Sequence, residues 1–274
     1  MKAAVLCLLG CGVCGLGAGL ELLSDECAPA VFTGAPQQVQ VRFRNPTEQR
    51  LDTAVWTRLY QASSATLMPL GDATPWKTLS LLPGQTIVET FPLKLPEVRC
   101  RTAFQVHWRE KAGQQIGRSH IVAWPRDLLE QLNTLAGAQP LDLFDPQSQL
   151  KLVLEEANVK VETVLTGPDL AATAGRLAFV VPPSAPVEPM LLSHVKKRAE
   201  KGFASVVLLP TTTAFSDALP PALLVSPGSG TIVVVRGFRV AALADSPATQ
   251  RDLLRLAEWA VASDPLQFVL NPKP

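Results

Sequence analysis

The 274-residue chain predicts a two-part α+β protein. A β-sandwich over 20–124 precedes an α/β layered domain with a mainly parallel sheet over 125–274, behind a leader at 1–19. Three observations carry this expectation. Met1 to Gly19 holds one Lys and then an unbroken run of apolar and small residues. From Val31 to Trp124, short alternating segments are separated by turn signals, the mark of an all-β module. After Pro125, apolar strand-like runs alternate with helical patterns, the mark of a layered α/β domain.

The leader has the layout of a secretory signal: a charged start, an apolar stretch and a small-residue end. Within it, Gly10-Cys11-Gly12-Val13-Cys14-Gly15 spells three motifs at once. As G-x-G-x-x-G it would hold a dinucleotide, but no helix and second parallel strand follow within one βαβ unit. As C-x-x-C it lacks a thioredoxin-like surround. Export remains, in two forms. Cleavage near Gly19 gives a secreted protein. A lipobox at Leu8-Leu9-Gly10 makes Cys11 a lipidated, membrane-anchored first residue.

In the β-rich part, Val39, Val41 and Phe43 alternate along one face of a strand. Ala54 to Ala62, Thr86 to Leu95 and Arg101 to Glu110 also read as strands. Asn45-Pro46, Leu70-Gly71-Asp72, Pro83-Gly84 and Ala112-Gly113 read as turns. Trp56, Trp76, Trp108 and Trp124 fall in this part. A row of aromatics on a sheet face can stack on sugar rings, but large side chains more often pack in a core. Gly34-Ala35-Pro36, Asn45-Pro46 and Leu82-Pro83-Gly84-Gln85 stand around the strands in an order that resembles the immunoglobulin-like modules of bacterial secreted proteins. Cys27 sits just before the first strand and Cys100 at a late one. Export would let them form a disulfide; two unpaired buried thiols are the alternative.

In the second part, Leu128, Leu129, Leu132 and Leu135 have helical spacing and stop at Gly137. Leu141 to Asp145 reads as a strand, with Asp145-Pro146 as N-cap and first residue of a helix that carries Leu150, Val153, Leu154 and Ala157. Val159 to Val164 is a strand. Leu177 to Pro182 and Ala204 to Pro210 read as strands buried on both faces, with a helix from Glu188 to Lys201 between them. Thr231 to Gly237 and Phe238 to Ala244 read as a strand pair. Pro247 to Ala262 closes the domain as an amphipathic helix.

Phe144-Asp145-Pro146, Leu177 to Pro182, Lys201-Gly202-Phe203 leading into Val206-Val207-Leu208-Leu209, and Gly230 to Val234 follow in an order that resembles class I glutamine amidotransferase-like domains. The resemblance implies a flavodoxin-like fold over residues 125 to 265. It also implies a Cys nucleophile on a strand-to-helix turn with a downstream His. No cysteine follows Cys100, and the one histidine here is His194. A degenerate domain without amidotransferase activity is therefore expected.

Candidate chemistry is sparse. Asp142 and Asp145 could hold a divalent cation at a strand end, but Asp145 reads as a cap and Asp142 points elsewhere. Ser229 in Pro227-Gly228-Ser229-Gly230 precedes a strand, so it reads as a turn and not a nucleophile elbow. His107, His120 and His194 share no ligand spacing. Asp145, Thr211 and Thr212 are the ligand-binding candidates; no metal and no cofactor are expected. Net charge is +1, which gives no footprint for nucleic acid. The functional expectation is a non-catalytic exported protein, periplasmic or lipid-anchored through Cys11. It would meet a protein or carbohydrate partner at the cell envelope. The alternative is a hydrolase or carbohydrate-processing accessory enzyme with its site at the carboxyl ends of the α/β strands. A deep polar pocket over Asp145, Thr211 and Pro182 would favour the enzyme; a shallow or filled one would favour the binding protein.

Overall fold

The structure, a computed structural model, describes residues 19–23, 28–34, 36–111, 113–183, 188–209, 222–225 and 228–262, with the backbone alone at 222–225. Cys11, Cys27, Thr211 and Thr212 lie outside the described residues. The chain divides into two compact units. The first contains 38–92 and 103–121 with the described residues before Pro29. The second contains 29–37, 93–102 and the chain from Val122. The division is not one cut in the sequence: 29–37 and 93–102, which the strand rhythm groups with the β-rich part, cluster with the second unit.

The first unit is built of strands. β1 (Glu21–Leu23), β3 (Gln37–Arg44) and β6 (Thr86–Leu93) form one sheet in the order β1-β3-β6. β4 (Leu51–Ala62), β5 (Leu67–Leu81), β7 (Thr102–Glu110) and β8 (Gln115–Trp124) form another in the order β8-β7-β4-β5. The pairings of β1 with β3, β4 with β5 and β4 with β7 are antiparallel. Val39, Val41 and Phe43 are buried while Gln38, Gln40 and Arg42 are exposed, as the period-2 pattern requires.

Rings from the two sheets meet in this unit. Phe43 and Phe91 come from β3 and β6, Trp76 and Trp108 from β5 and β7. Trp108 packs edge-on against Phe91 at 4.9 Å, Trp76 at 5.2 Å and Phe43 at 5.4 Å. Edge-to-face geometry places positive ring edges on negative faces. Trp108 is fully buried, and its indole N–H donates to Ser119 Oγ at 2.9 Å. Trp108 is therefore a core residue, and Trp76 packs half-buried against it.

Asn45 shows why an amide ends β3. It is fully buried. Its Nδ2 donates to the carbonyls of Gln49, Leu81 and Leu82, and its Oδ1 accepts from the backbone and hydroxyl of Thr47. Both donors and the acceptor of the side chain are thus engaged. The turn expected at Leu70-Gly71-Asp72 is instead a bulge inside the 15-residue β5. The register with β4 slips beside it, and Gly71 takes φ +79°. A glycine at positive φ serves a bulge as readily as a turn.

In the second unit, β2 (Ala30–Phe32) pairs in parallel with Val122–Trp124. A 3-10 turn over Leu128–Glu130 leads into α1 (Gln131–Ala136), which ends at Gly137 with φ +84°. Then follow β9 (Leu141–Phe144), α2 (Gln149–Glu156), β10 (Val161–Thr163), α3 (Gly167–Ala172), β11 (Leu177–Val180), α4 (Pro189–Glu200), β12 (Ala204–Leu209), β13 (Ala222–Val225), β14 (Ile232–Arg236) and α5 (Pro247–Val261). The sheet order is β10-β9-β11-β12-β14-β13. Five strands are parallel and β13 is antiparallel to β14. Counting only the parallel strands along the chain gives 2-1-3-4-5, a doubly wound order whose topological switch lies between β9 and β11.

Alternation along the strands splits the core in two. Leu141, Leu143, Leu177, Phe179, Val206 and Leu208 face α1, α2 and α5. Ala178, Val180 and Val207 face α3 and α4, through Leu170, Leu191, Val195 and Ala199. Apolar on both faces, these strands read as continuous apolar runs.

Two local expectations change. Phe238 to Ala244 is not a strand. Gly237 takes φ +76° and ends β14, and Val240–Leu243 forms a 3-10 turn that buries Val240 and Leu243. Asp145-Pro146 does not start α2. It opens a turn closed by Ser148 N–H donating to Asp145 O at 3.0 Å, and Ser148, at φ +55°, is the residue at the cap position.

Candidate functional site

In a doubly wound sheet, ligands collect beyond the carboxyl ends of the strands at the topological switch. Here that place lies between the ends of β9 and β11. A pocket of about 190 Å³ opens there. Phe144 closes β9, Pro182 and Pro183 follow β11, Gly167 and Pro168 begin α3, and Glu188, Met190, Leu191 and His194 come from the start of α4. The walls are mainly apolar, with Glu188 and His194 as the polar groups. Pro182 lines the pocket. Asp145 does not.

Asp145 is buried at 4% exposure. Its Oδ2 accepts from the N–H groups of Leu150 at 2.7 Å and Lys151 at 3.1 Å. The carboxylate therefore satisfies two first-turn donors of α2 from outside the helix. A negative charge there also complements the helix dipole. Its Oδ1 has no hydrogen-bond partner. Asp145 thus serves as a capping acid, as its place before Pro146 implies, while the cap position itself falls three residues later, at Ser148.

His194 is half-buried on α4, and its Nδ1 lacks a partner. Its ring lies against Gly167, where a Cβ would stand 2.7 Å from His194 Cδ2. Gly167 follows Thr166, whose hydroxyl accepts from Asp169 N–H at 3.3 Å and caps α3. The Thr-Gly-Pro-Asp stretch is a readable helix start, and it is the signal that could have placed His194 beside a pocket.

The other end of the same sheet holds the charge. Asp142, in β9, and Arg198, in the last turn of α4, are 2% and 0% exposed in their side chains and approach within 2.9 Å. The contact is an ion pair. Arg198 also donates to Thr173 Oγ1, Thr173 O and Gly175 O. Burial pulls the Arg198 guanidinium below its ordinary range, and Asp142 opposes that pull. A Cβ at Gly175 would sit 2.5 Å from Asp142 Oδ2. Glycine is required there so that the backbone can approach the pair. Asp142 is thus tied to Arg198 and is directed away from Asp145, so the two carboxylates do not form a cation site. No group of three or more metal-ligating residues exists among the described residues.

Beside this end lies a second pocket of about 470 Å³, lined by Arg176, Gly202, Ser229, Thr231 and the end of α5. Gly230 is packed against the α4–β12 connection; a Cβ there would lie 2.5 Å from Phe203 O and 2.6 Å from Ala199 O. The glycines around Ser229 therefore serve close packing at the amino end of β14. Cys100, in the 93–102 segment of the second unit, is an exposed free cysteine. No described helix is long and apolar enough to cross a membrane.

No family model matches the chain, and no curated protein matches it. Some solved structures are similar over part of it. One is the Pseudomonas fluorescens alkylpurine DNA glycosylase AlkC bound to DNA containing an abasic site analog: 13% identity over 39% of this chain and 31% of that one, TM-score 0.30. Another is a β-glucosidase from Listeria innocua: 14% identity over 38% of this chain and 16% of that one, TM-score 0.29. A third is a Niemann-Pick type C2 protein from the Japanese carpenter ant: 10% identity over 35% of this chain and 78% of that one, TM-score 0.28. The chain spans under a third of the first two proteins.

Proposed function

We propose that this is a non-catalytic exported protein of the cell envelope that works in binding or assembly. In this reading, an immunoglobulin-like β-sandwich is joined to a degenerate amidotransferase-like domain of flavodoxin-like fold. The strand order 2-1-3-4-5 and the ring contacts between two antiparallel sheets support that architecture. One observation carries the functional part. At the switch point, the buried carboxylate Asp145 is engaged by the N–H groups of α2, and the neighbouring pocket is walled by Phe144, Leu191 and three prolines. A hydrolytic site needs a nucleophile with a base in reach and an oxyanion donor; the sequence after Cys100 supplies no thiol for that role.

Fractionation with radiolabelled palmitate in the native host tests export. Envelope localisation with label that is lost in Cys11→Ala supports the lipid-anchored form. An unlabelled envelope protein beginning near Leu20 supports the secreted form. A cytoplasmic protein with Met1 intact overturns the proposal. The second reading, a hydrolase or carbohydrate-processing accessory enzyme, draws on His194 and Glu188 in one pocket. Glycosidase or esterase turnover that disappears in His194→Ala would establish it instead.

A further inference from the structure

The outer face of the strand-rich unit's larger sheet gathers Arg58, Arg109 and Arg118, which form no ion pair among the described residues. Phe104, Val106 and Trp108 of β7 are buried inward. Gln105, His107 and Arg109 therefore stand on the opposite face. The β4 register sets Tyr60, Arg58 and Trp56 directly across from them in that order. On β8, Ser119 accepts the Trp108 indole N–H from inside, so Arg118 and His120 also stand outside. The face thus carries Arg109, Arg118 and His120 close to His107, with Arg109 across from Trp56 and Arg58 across from His107, over three strands or about 10 Å.

Its centre is already organised. Tyr60 and His107 stack at 4.2 Å, and the Arg58 guanidinium lies 5.6 Å above the Tyr60 ring. Arg58 Nε donates to Gly71 O at 2.9 Å, which fixes the side chain to the β5 bulge. The imidazole of His107 is pushed below its ordinary value, first by burial and then by Arg109, Arg118 and His120. Among the described residues, the ion pairs of this unit are Arg50 with Asp52 and Lys77 with Glu89; none reaches Arg58, Arg109 or Arg118. The Arg109 Nε is itself buried and has no hydrogen-bond partner.

We propose that this face binds an acidic polysaccharide, with a sugar ring on Trp56 and uronate carboxylates on Arg58 and Arg109. Trp56 is half-buried on β4. Arg58 follows it two residues along the same face, and Arg109 stands directly across. Guanidinium forks match carboxylates in a bidentate manner, and an indole offers a flat apolar surface between them. Charge complementarity selects an anionic partner. The single half-open indole and the net charge of +1 argue against nucleic acid, which needs a row of stacking rings and a wide basic footprint. The proposal rests on the reading of the chain as a binding protein and names its ligand class.

Calorimetric titration of the purified full chain with polygalacturonate tests it, against neutral dextran and an oligothymidylate of equal charge. Binding to polygalacturonate alone is expected. Trp56→Ala and the double variant Arg58→Ala/Arg109→Ala should each weaken it by about tenfold or more, while Arg50→Ala should leave it unchanged. If an alanine variant fails to fold, Trp56→Phe and Arg58→Lys/Arg109→Lys replace it: the first should retain binding, and the second, which keeps the charge without the fork, should weaken it. Absence of polygalacturonate binding overturns the proposal, as does equal affinity for oligothymidylate or equal loss in Arg50→Ala. A cytoplasmic protein that still binds polygalacturonate would sink the export reading and leave this face standing. An envelope protein that does not bind would do the reverse.

Discussion

The two ends of one parallel sheet are built from different materials. At the amino end, Asp142 and Arg198 are fully buried, and glycines at 175 and 230 let backbone pack against backbone. At the carboxyl end, prolines and apolar side chains wall a small pocket, and Leu165 and Met190 stand 80% and 70% exposed. Doubly wound folds place chemistry at the carboxyl end. In this chain the strong electrostatics lie at the other end, where Arg198 bonds to the α3–β11 connection and pairs with β9. The buried pair braces the α3–β11 connection and β9 against the last turn of α4.

The largest test of that contrast is Arg198→Met. Removing one partner of a buried pair leaves an uncompensated charge, which costs about 3–5 kcal/mol. Urea unfolding should show a loss of that size. The double variant Asp142→Ala/Arg198→Met should be more stable than Arg198→Met alone, because no charge is then stranded. If the double variant is no better, the pair is not the source of the loss. Next comes Gly230→Ala, whose Cβ would meet Phe203 O and Ala199 O. Overpacking of that kind costs about 1–3 kcal/mol, readable as a lowered unfolding midpoint. An unchanged midpoint would mean the α4–β12 connection yields easily, and the amino end is looser than described.

Much of this asymmetry was legible in the sequence, though not its location. Leu177 to Val180 and Ala204 to Leu209 are apolar without interruption, which announces strands covered on both faces. Gly137 and Gly202 announce helix ends. Arg198 was not legible. It sits among Lys196 and Lys197 on a helix that reads as amphipathic, and its partner lies 56 positions earlier in a strand. Only the 2-1-3-4-5 order brings β9 and α4 together. The same holds for Trp56, Arg58 and Arg109, whose neighbourhood depends on the β4–β7 register. Gly71 signals a turn in the sequence because a bulge and a turn use the same left-handed glycine. Asp145 was read correctly as a capping acid, since an Asp before a Pro and an apolar helical stripe carries that meaning locally.

At the carboxyl end the expected effects are smaller. Asp145→Ala removes two accepted bonds from the first turn of α2 and should cost about 1 kcal/mol, the usual worth of a cap. Melting curves of Asp145→Ala and Asp145→Asn check this: Asn, which still offers an oxygen, should recover part of the loss. An effect above that of Arg198→Met would reverse the contrast between the two ends.

The smallest effect belongs to the exposed apolar residues. Leu165→Ser and Met190→Lys touch no described hydrogen bond, and surface changes of this kind usually fall within about 0.5 kcal/mol. Unfolding of both variants should therefore overlay that of the parent chain. Met190 lines the pocket and Leu165 precedes α3, so the two report on whether the carboxyl end is an open surface in solution. A loss well beyond that margin for Met190→Lys, concentration-dependent in the midpoint, would mean that a second copy covers the pocket, because only binding to the folded state makes stability depend on concentration. A flat concentration dependence with an unchanged midpoint leaves the pocket open. It also keeps the stabilising interactions of this sheet at its amino end.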